Sequence, residues 1–268
     1  MKRKVKGMRA LLTGASSGIG RALARELAKE GACLLLTARR ADRLAALAEE
    51  LHNEYGVDVA YLPGDITDDE FGGELLETAV REFGGLDLLV NNAGAGATER
   101  IEETSPEVAG ELIDLNLLSV IRLTQRAIPV LRESLSERSG NRRPMIVTLG
   151  SIVGLRGTPH YGIYGAAKAG IIAFSDALRA ELSREGIDVL CVCPGTTRTE
   201  FFDVLLENRS QPHFPAHKAA TPEDVARQML AAIKRGKHRI IPHFPSRILY
   251  FLARFFPRFT DWFMGKFA

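Results

Sequence analysis

Cysteine is scarce in this chain, with only Cys33, Cys191 and Cys193 among 268 residues. That odd, small number suits a reducing compartment, and the sequence reads as cytoplasmic rather than as a disulfide-stapled secreted scaffold. Cys191-x-Cys193 alone lacks metal-ligand spacing, so all three read as buried thiols within apolar runs and no metal site is expected. An excess of either charge is also missing: 35 Lys and Arg against 33 Asp and Glu leave a net charge of +2. No bulk field therefore points to nucleic acid or acidic partners, and any basic patch must be local. Long apolar runs are absent too. Residues 1–7 are basic, but the apolar stretch that follows is short and enters a glycine-rich turn. They read as a solvated tail rather than a leader. No internal repeat or low-complexity segment interrupts the chain.

What is present is 46% hydrophobic residues in a length ordinary for one α/β domain, so residues 1–268 read as a single domain. Short apolar runs alternate with helical periodicity. Ala10 to Leu12 is a strand, Arg21 to Lys29 a helix, Cys33 to Thr37 a strand, Asp42 to Glu54 a helix and Val57 to Leu62 a strand. A helix around Gly73 to Phe83 precedes the strand Leu86 to Val90. Pro106 to Leu131 then reads as one long helix, capped by Ser105 and bent at Pro129. Strand Met145 to Leu149, helix Tyr161 to Arg184 and strand Asp188 to Cys193 complete the rhythm. Such alternation implies right-handed βαβ crossovers. The expected fold is a Rossmann-like doubly wound parallel sheet with helices on both faces, binding ligands beyond the carboxyl ends of its strands.

Thr13 to Gly20, Thr-Gly-Ala-Ser-Ser-Gly-Ile-Gly, joins the first strand to the first helix. Its amides and the helix N-terminus suit a pyrophosphate, and its glycines permit close approach. Where an NAD enzyme commonly carries an acid at the end of the second strand, this chain has Ala38-Arg39-Arg40. A guanidinium there can pair with a 2′-phosphate, a contact worth about 1.5 to 3 kcal/mol when partly shielded. The sequence thus points to NADP(H), and the bland alternative is two arginines solvating a loop.

Tyr164 and Lys168 stand four apart on a helix, about 6 Å of rise on one face. An ammonium beside a phenol favours the phenolate, which fits the tyrosine for proton transfer. Ser151 directly follows the strand ending at Leu149, where its hydroxyl can reach a reacting oxygen or simply cap a turn.

Taken together, Thr13 to Gly20, Asn91-Asn-Ala-Gly94, Ser151, Tyr164-x-x-x-Lys168 and Pro194-Gly195 resemble the short-chain dehydrogenase/reductase family, over roughly residues 8 to 200. The resemblance implies a catalytic set of Asn116, Ser151, Tyr164 and Lys168. Tyr164 would be the acid in reduction and the base in oxidation, and Ser151 would orient the carbonyl. Lys168 would lower the phenol's pKa and bind the nicotinamide ribose, with Asn116 holding a water that links it to solvent. It also implies cofactor contacts at Gly14, Ser16, Ser17, Gly18, Ile19, Gly20, Arg39 and Arg40. Further contacts fall at Asp65 beside adenine, at Asn92, Ala93 and Gly94, at Tyr164 and Lys168, and at Pro194, Gly195, Thr197 and Thr199. A homodimer or homotetramer, formed through the two long helices, is expected on the same ground.

His160, His213 and His217 have no partner at metal-ligand spacing and read as loop residues. Residues 196–220 read as a substrate loop. Residues 246–268 form an aromatic and basic extension too short between charges to span a bilayer, suited either to a lipid surface or to another subunit. The expected activity is hydride transfer between NADP(H) and a carbonyl or alcohol, and a lipid-facing tail would favour a hydrophobic ketone or aldehyde. The alternatives are an NADPH-binding redox sensor without turnover and an NAD-linked alcohol dehydrogenase.

Overall fold

The computed structural model describes residues 3–136, 143–202 and 219–267. Seven strands form one wholly parallel sheet in the order β3-β2-β1-β4-β5-β6-β7. They are β1 (Arg9–Thr13), β2 (Cys33–Ala38), β3 (Val59–Pro63), β4 (Leu88–Asn91), β5 (Met145–Leu149), β6 (Asp188–Val192) and β7 (Arg239–Ile240). The strand order reverses between β1 and β4, which opens a crevice at their carboxyl ends.

Strand side chains alternate between two cores, as the pleat requires. Ala10, Leu12, Leu34 and Leu36 pack with α1 (Gly18–Lys29), α2 (Ala41–Tyr55) and α8 (Pro222–Arg235). Leu11, Leu35, Leu89 and Ile146 face the other way, toward α3 (Asp69–Phe83), α5 (Ser119–Ser136) and α7 (Gly162–Leu182). The doubly wound sheet expected from the alternation is therefore the one observed. Several helix starts follow from short polar caps: Asp68, Ser105 and Thr221 each accept a first-turn N–H at α3, α4 (Pro106–Ile113) and α8.

Three readings need correction, and the tail gains elements that the sequence reading left unassigned. The long helix expected over Pro106 to Leu131 is broken by a π-helical turn at Asp114–Leu118, between α4 and α5, whereas Pro129 sits inside an unbroken α5. Residues 3–7 are not a solvated tail. Arg3 and Val5 are buried while Lys4 and Lys6 are exposed, and Arg3 donates to the carbonyls of Arg143 (2.9 Å) and Ile233 (2.5 Å) and ion-pairs with Asp188. Burial of a guanidinium is tolerable there because Asp188 and two carbonyls surround it. Cys33, at the strand's first position, is only half-buried, unlike Cys191 and Cys193. Finally, the tail holds two helices, α9 (Phe244–Phe255) and α10 (Pro257–Met264), after the two-residue β7, which is too short to leave a pattern. No described helix is long and apolar enough to cross a membrane.

Of the segment 196–220, only its two ends are described. They are drawn together by Arg198 N–H to Ala220 O (2.9 Å) and Ala220 N–H to Thr196 O (3.0 Å). His213 and His217 lie outside the described residues.

Candidate active site

A cavity of about 790 Å³ occupies the crevice at the β1/β4 switch point. Its floor is built by the turn after β1. Gly14 (φ 66°) and Gly18 (φ 54°) take left-handed backbone that other residues resist, and a Cβ on Gly14 would lie 2.8 Å from Asn92 Nδ2. Ser17 caps α1 without a side-chain bond, and the first turn of α1 holds no acid. Its N–H groups are thus left for an anion.

Asn92 braces this turn from β4. Its Nδ2 donates to Thr13 O (3.0 Å) and Gly14 O (3.1 Å), while Thr13 Oγ1 accepts from Asn92 N–H and Ala93 N–H, both at 3.0 Å. Asn92 is therefore a strut for the phosphate cradle as well as part of its wall. Gly20, also expected at the cofactor, does not line the cavity. A Cβ there would lie 2.5 Å from Asn92 Nδ2, so this glycine serves the packing of helix against strand.

Around the cradle, Ser16, Ser17, Gly18, Ile19, Arg39, Arg40, Asp65, Ala93, Gly94, Pro194, Gly195, Thr197 and Thr199 all reach the cavity, as their positions implied. The two arginines differ. Arg39 is exposed at the rim, and its charge lies close enough to contribute to the environment of Asp65. Burial pushes the Asp65 carboxyl up, but hydrogen bonds from the Thr67 N–H and hydroxyl, with Arg39 nearby, bring it below its ordinary value. Arg40 is half-buried and donates to Ser16 Oγ (3.1 Å), Ser17 Oγ (2.8 Å) and Glu200 (2.9 Å). Glu200 also pairs with Arg43 at 2.7 Å, and the two guanidinium groups hold its carboxyl below the usual range.

At the other end of the cavity, Ser151, Tyr164 and Lys168 converge from β5 and α7. Ser151 is nine-tenths buried and does two jobs: its Oγ accepts from Val153 N–H at 3.4 Å, capping α6 (Ile152–Leu155), and it hydrogen-bonds the Tyr164 phenol. Lys168 Nζ donates to Leu149 O at 2.9 Å and lies 5.6 Å from the Tyr164 ring centre. Asn116 is fully buried behind them, outside the cavity lining. Its Nδ2 donates to Ala95 O (2.9 Å) and Leu112 O (3.0 Å), and its Oδ1 meets no hydrogen-bond partner among the described residues. The bond back to Leu112, four residues earlier, sits at the start of the π turn. Gly94 fits between Asn116 Oδ1 and Lys168 Nζ, where a Cβ would lie 2.7 and 3.4 Å from them.

The proton chemistry departs from the sequence reading. The ammonium was expected to hold the phenol low, yet burial pushes Tyr164 well above its ordinary value, with the Ser151 hydrogen bond opposing. Burial likewise lowers Lys168 to about 8. Among this chain's own groups, desolvation outweighs attraction between the two.

Among the lining residues outside the candidate set, three lie close to the catalytic groups or on α9. Tyr161 is buried, lies 6.5 Å from Tyr164 ring to ring, and carries a hydroxyl without a hydrogen-bond partner; burial raises it to about 12. Phe201 stacks on Tyr164 at 5.6 Å. Leu249, from α9, also reaches the cavity. Phe201 and Leu249 come from segments without a motif, and Tyr161 stands beside Tyr164-x-x-x-Lys168 but outside its spacing, so only tertiary packing reveals them.

The model of the short chain dehydrogenase family matches residues 8–210. Among curated relatives, 11-beta-hydroxysteroid dehydrogenase A of Sesamum indicum is 32% identical over 269 residues, covering 96% of this chain and 74% of the relative. A short-chain dehydrogenase of Sphingobium yanoikuyae, solved with NADPH, is 33% identical with a TM-score of 0.76, covering 89% of each chain. One from Burkholderia phymatum, solved with NAD, is 26% identical with a TM-score of 0.83, covering 94% of each. The fold and its crevice are those of a nucleotide-binding oxidoreductase, and the chain belongs to the short-chain dehydrogenase family.

Proposed function

We propose that this protein is an NADP(H)-dependent oxidoreductase that interconverts a hydrophobic ketone or aldehyde with its alcohol. The observation that carries the reading is the convergence of Ser151, Tyr164 and Lys168 at one end of a cavity whose other end is a phosphate cradle. A redox sensor has no use for these three groups in register.

NADP(H) fits the residues present. Gly14 to Ile19 would hold the pyrophosphate, Asp65 the adenine end, and Ala93, Gly94, Pro194, Gly195, Thr197 and Thr199 the nicotinamide half. Arg39, exposed at the rim and paired with no carboxylate in a salt bridge among the described residues, is the group we assign to the 2′-phosphate. Arg40 is already shared among Ser16, Ser17 and Glu200, so it holds the cradle and offers the phosphate less. When bound, the cofactor supplies or accepts the hydride. The absence of an acid at Ala38 disfavours the NAD-linked alternative, since nothing there recognises a ribose 2′-hydroxyl.

In reduction, Ser151 Oγ orients the carbonyl oxygen and Tyr164 gives it a proton as negative charge develops. The raised pKa of Tyr164 keeps that proton available at neutral pH. Lys168 would hold the ribose side of the site and feed charge to the phenol. The free Oδ1 of Asn116 would accept from a water that connects Lys168 to solvent. We further propose a homodimer or homotetramer built on α5 and α7.

The test follows consumption of NADPH with a panel of aldehydes and ketones. Tyr164→Phe should lose turnover by at least about a thousandfold while NADPH binding survives, since it removes only the proton donor. Equal turnover in both proteins would defeat the assignment.

A further inference from the structure

Helices α9 and α10 present an apolar face that nothing among the described residues covers. Of the twelve large hydrophobic residues exposed among the described residues, eight fall in residues 244–263. In α9, Phe244, Ile248, Phe251 and Phe255 follow the i, i+4, i+7, i+11 spacing of one helix stripe, each about half exposed or more. Past the turn at Phe256, α10 buries Thr260 and Met264 and turns Phe259 and Trp262 outward, Trp262 being 60% exposed.

Charge decides the occupant. Residues 244–268 hold four basic groups, Arg247, Arg254, Arg258 and Lys266, against one acid, Asp261. That acid is already paired with Arg156. Arg247 and Arg254 border the α9 stripe, and Lys266 lies 3.8 Å over the Trp262 ring. A second copy meeting this face by two-fold symmetry would set positive against positive. An anionic bilayer meets both needs, apolar depth for the rings and phosphates for the bases.

The opposite side of α9 is part of the site. Leu249, with Ser246 and Pro245 at the start of the helix, lines the cavity. The helix sits so close to the substrate end that a Cβ on Gly195 would overlap the Ser246 hydroxyl. One helix thus carries the bilayer-facing stripe on one side and a cavity wall on the other.

We propose that α9 and α10 dock flat on an anionic membrane surface and that α9 admits ketones dissolved in that membrane directly to the cavity. The second half rests on the oxidoreductase reading above; the first does not.

The full-length protein is mixed with vesicles of equal phosphatidylcholine and phosphatidylglycerol, or of phosphatidylcholine alone. Trp262, the chain's one tryptophan, reports insertion through a blue shift of its emission. Partition to the anionic vesicles should be at least about tenfold stronger, given roughly a kcal/mol per basic group near the surface. The double variant Phe251→Ser, Phe255→Ser should lose sedimentation and blue shift, keep NADPH binding and keep its turnover of water-soluble methyl ethyl ketone. Turnover of vesicle-dissolved methyl tridecyl ketone should fall about tenfold with docking. Unshifted Trp262 emission with the protein left in the supernatant overturns the docking, as does a native mass that halves in the double variant. Undiminished turnover of the long ketone by the undocked variant overturns delivery. Docking by a wild type that turns over neither ketone upholds the membrane surface and rejects the oxidoreductase reading instead.

Discussion

At the scale of single residues, the motif positions were legible because each needs a particular side chain at a fixed point in the chain. Tyr164 and Lys168 share a helix face, and Ser151 follows a strand end. Their electrostatics were not legible, because desolvation depends on what the rest of the fold packs around them, and that is why the expected low phenol is instead a high one. The arginines divide in the same way: Ala38-Arg39-Arg40 was readable, but the capture of Arg40 by Ser16, Ser17 and Glu200 was not. Two consequences are testable. Arg39→Asp should raise the KM for NADPH about tenfold or more and leave that for NADH nearly unchanged, the value of a charge-assisted contact; an unaltered cofactor ratio rejects the assignment. Glu200→Gln should act oppositely, lowering the KM for NADPH several-fold by freeing Arg40 and removing a nearby negative charge. No change would place Glu200 outside the reach of the phosphate.

At the scale of elements, periodicity found most helices and strands, and the apolar runs of β1, β2, β4 and β5 are those of strands buried on both faces. It failed where a side chain alters the backbone. The π turn at Asp114–Leu118 carries helical spacing in its sequence, and the Asn116 bonds to Ala95 O and Leu112 O that accompany it cannot be seen in a pattern of apolar residues. Asn116→Ala should therefore do more than remove one polar group. It leaves two carbonyls short of a donor, at about 1 to 3 kcal/mol each if buried. Melting temperature should drop, and turnover should drop further than NADPH affinity. Wild-type stability in the variant would mean the turn is held by the backbone alone.

At the scale of the whole molecule, the site is carried at a cost to stability. Lys168 is buried, and burial lowers its pKa from 10.5 to about 8. A lysine depressed in the folded state destabilises the fold wherever the unfolded chain would hold that proton. Below about pH 8 both states are protonated and the full penalty stands, about 3 kcal/mol from the gap between 10.5 and about 8. Between about 8 and 10.5 the unfolded chain binds the extra proton, so the penalty shrinks as pH rises. Tyr164 works the other way only above its ordinary 10, where the folded state keeps a proton the unfolded chain gives up. The window that isolates Lys168 thus runs from about 8 to 10. Denaturant unfolding of the unliganded wild type and of Lys168→Met separates this effect from every titrating group that does not feel the lysine, and the same comparison in a Cys191→Ser, Cys193→Ser background removes the two thiols that do. The lost bond to Leu149 O is likewise the same at each pH. Wild-type stability should gain on the variant across that window by up to about 2 kcal/mol, although the variant has no turnover at any pH. Parallel pH profiles for the two proteins would show that the lysine keeps its ordinary pKa of 10.5 in the folded state and stays charged and well solvated across the window. The burial argued for Lys168 would then carry no cost to stability, and its ammonium would stand beside Tyr164 at full charge throughout neutral pH.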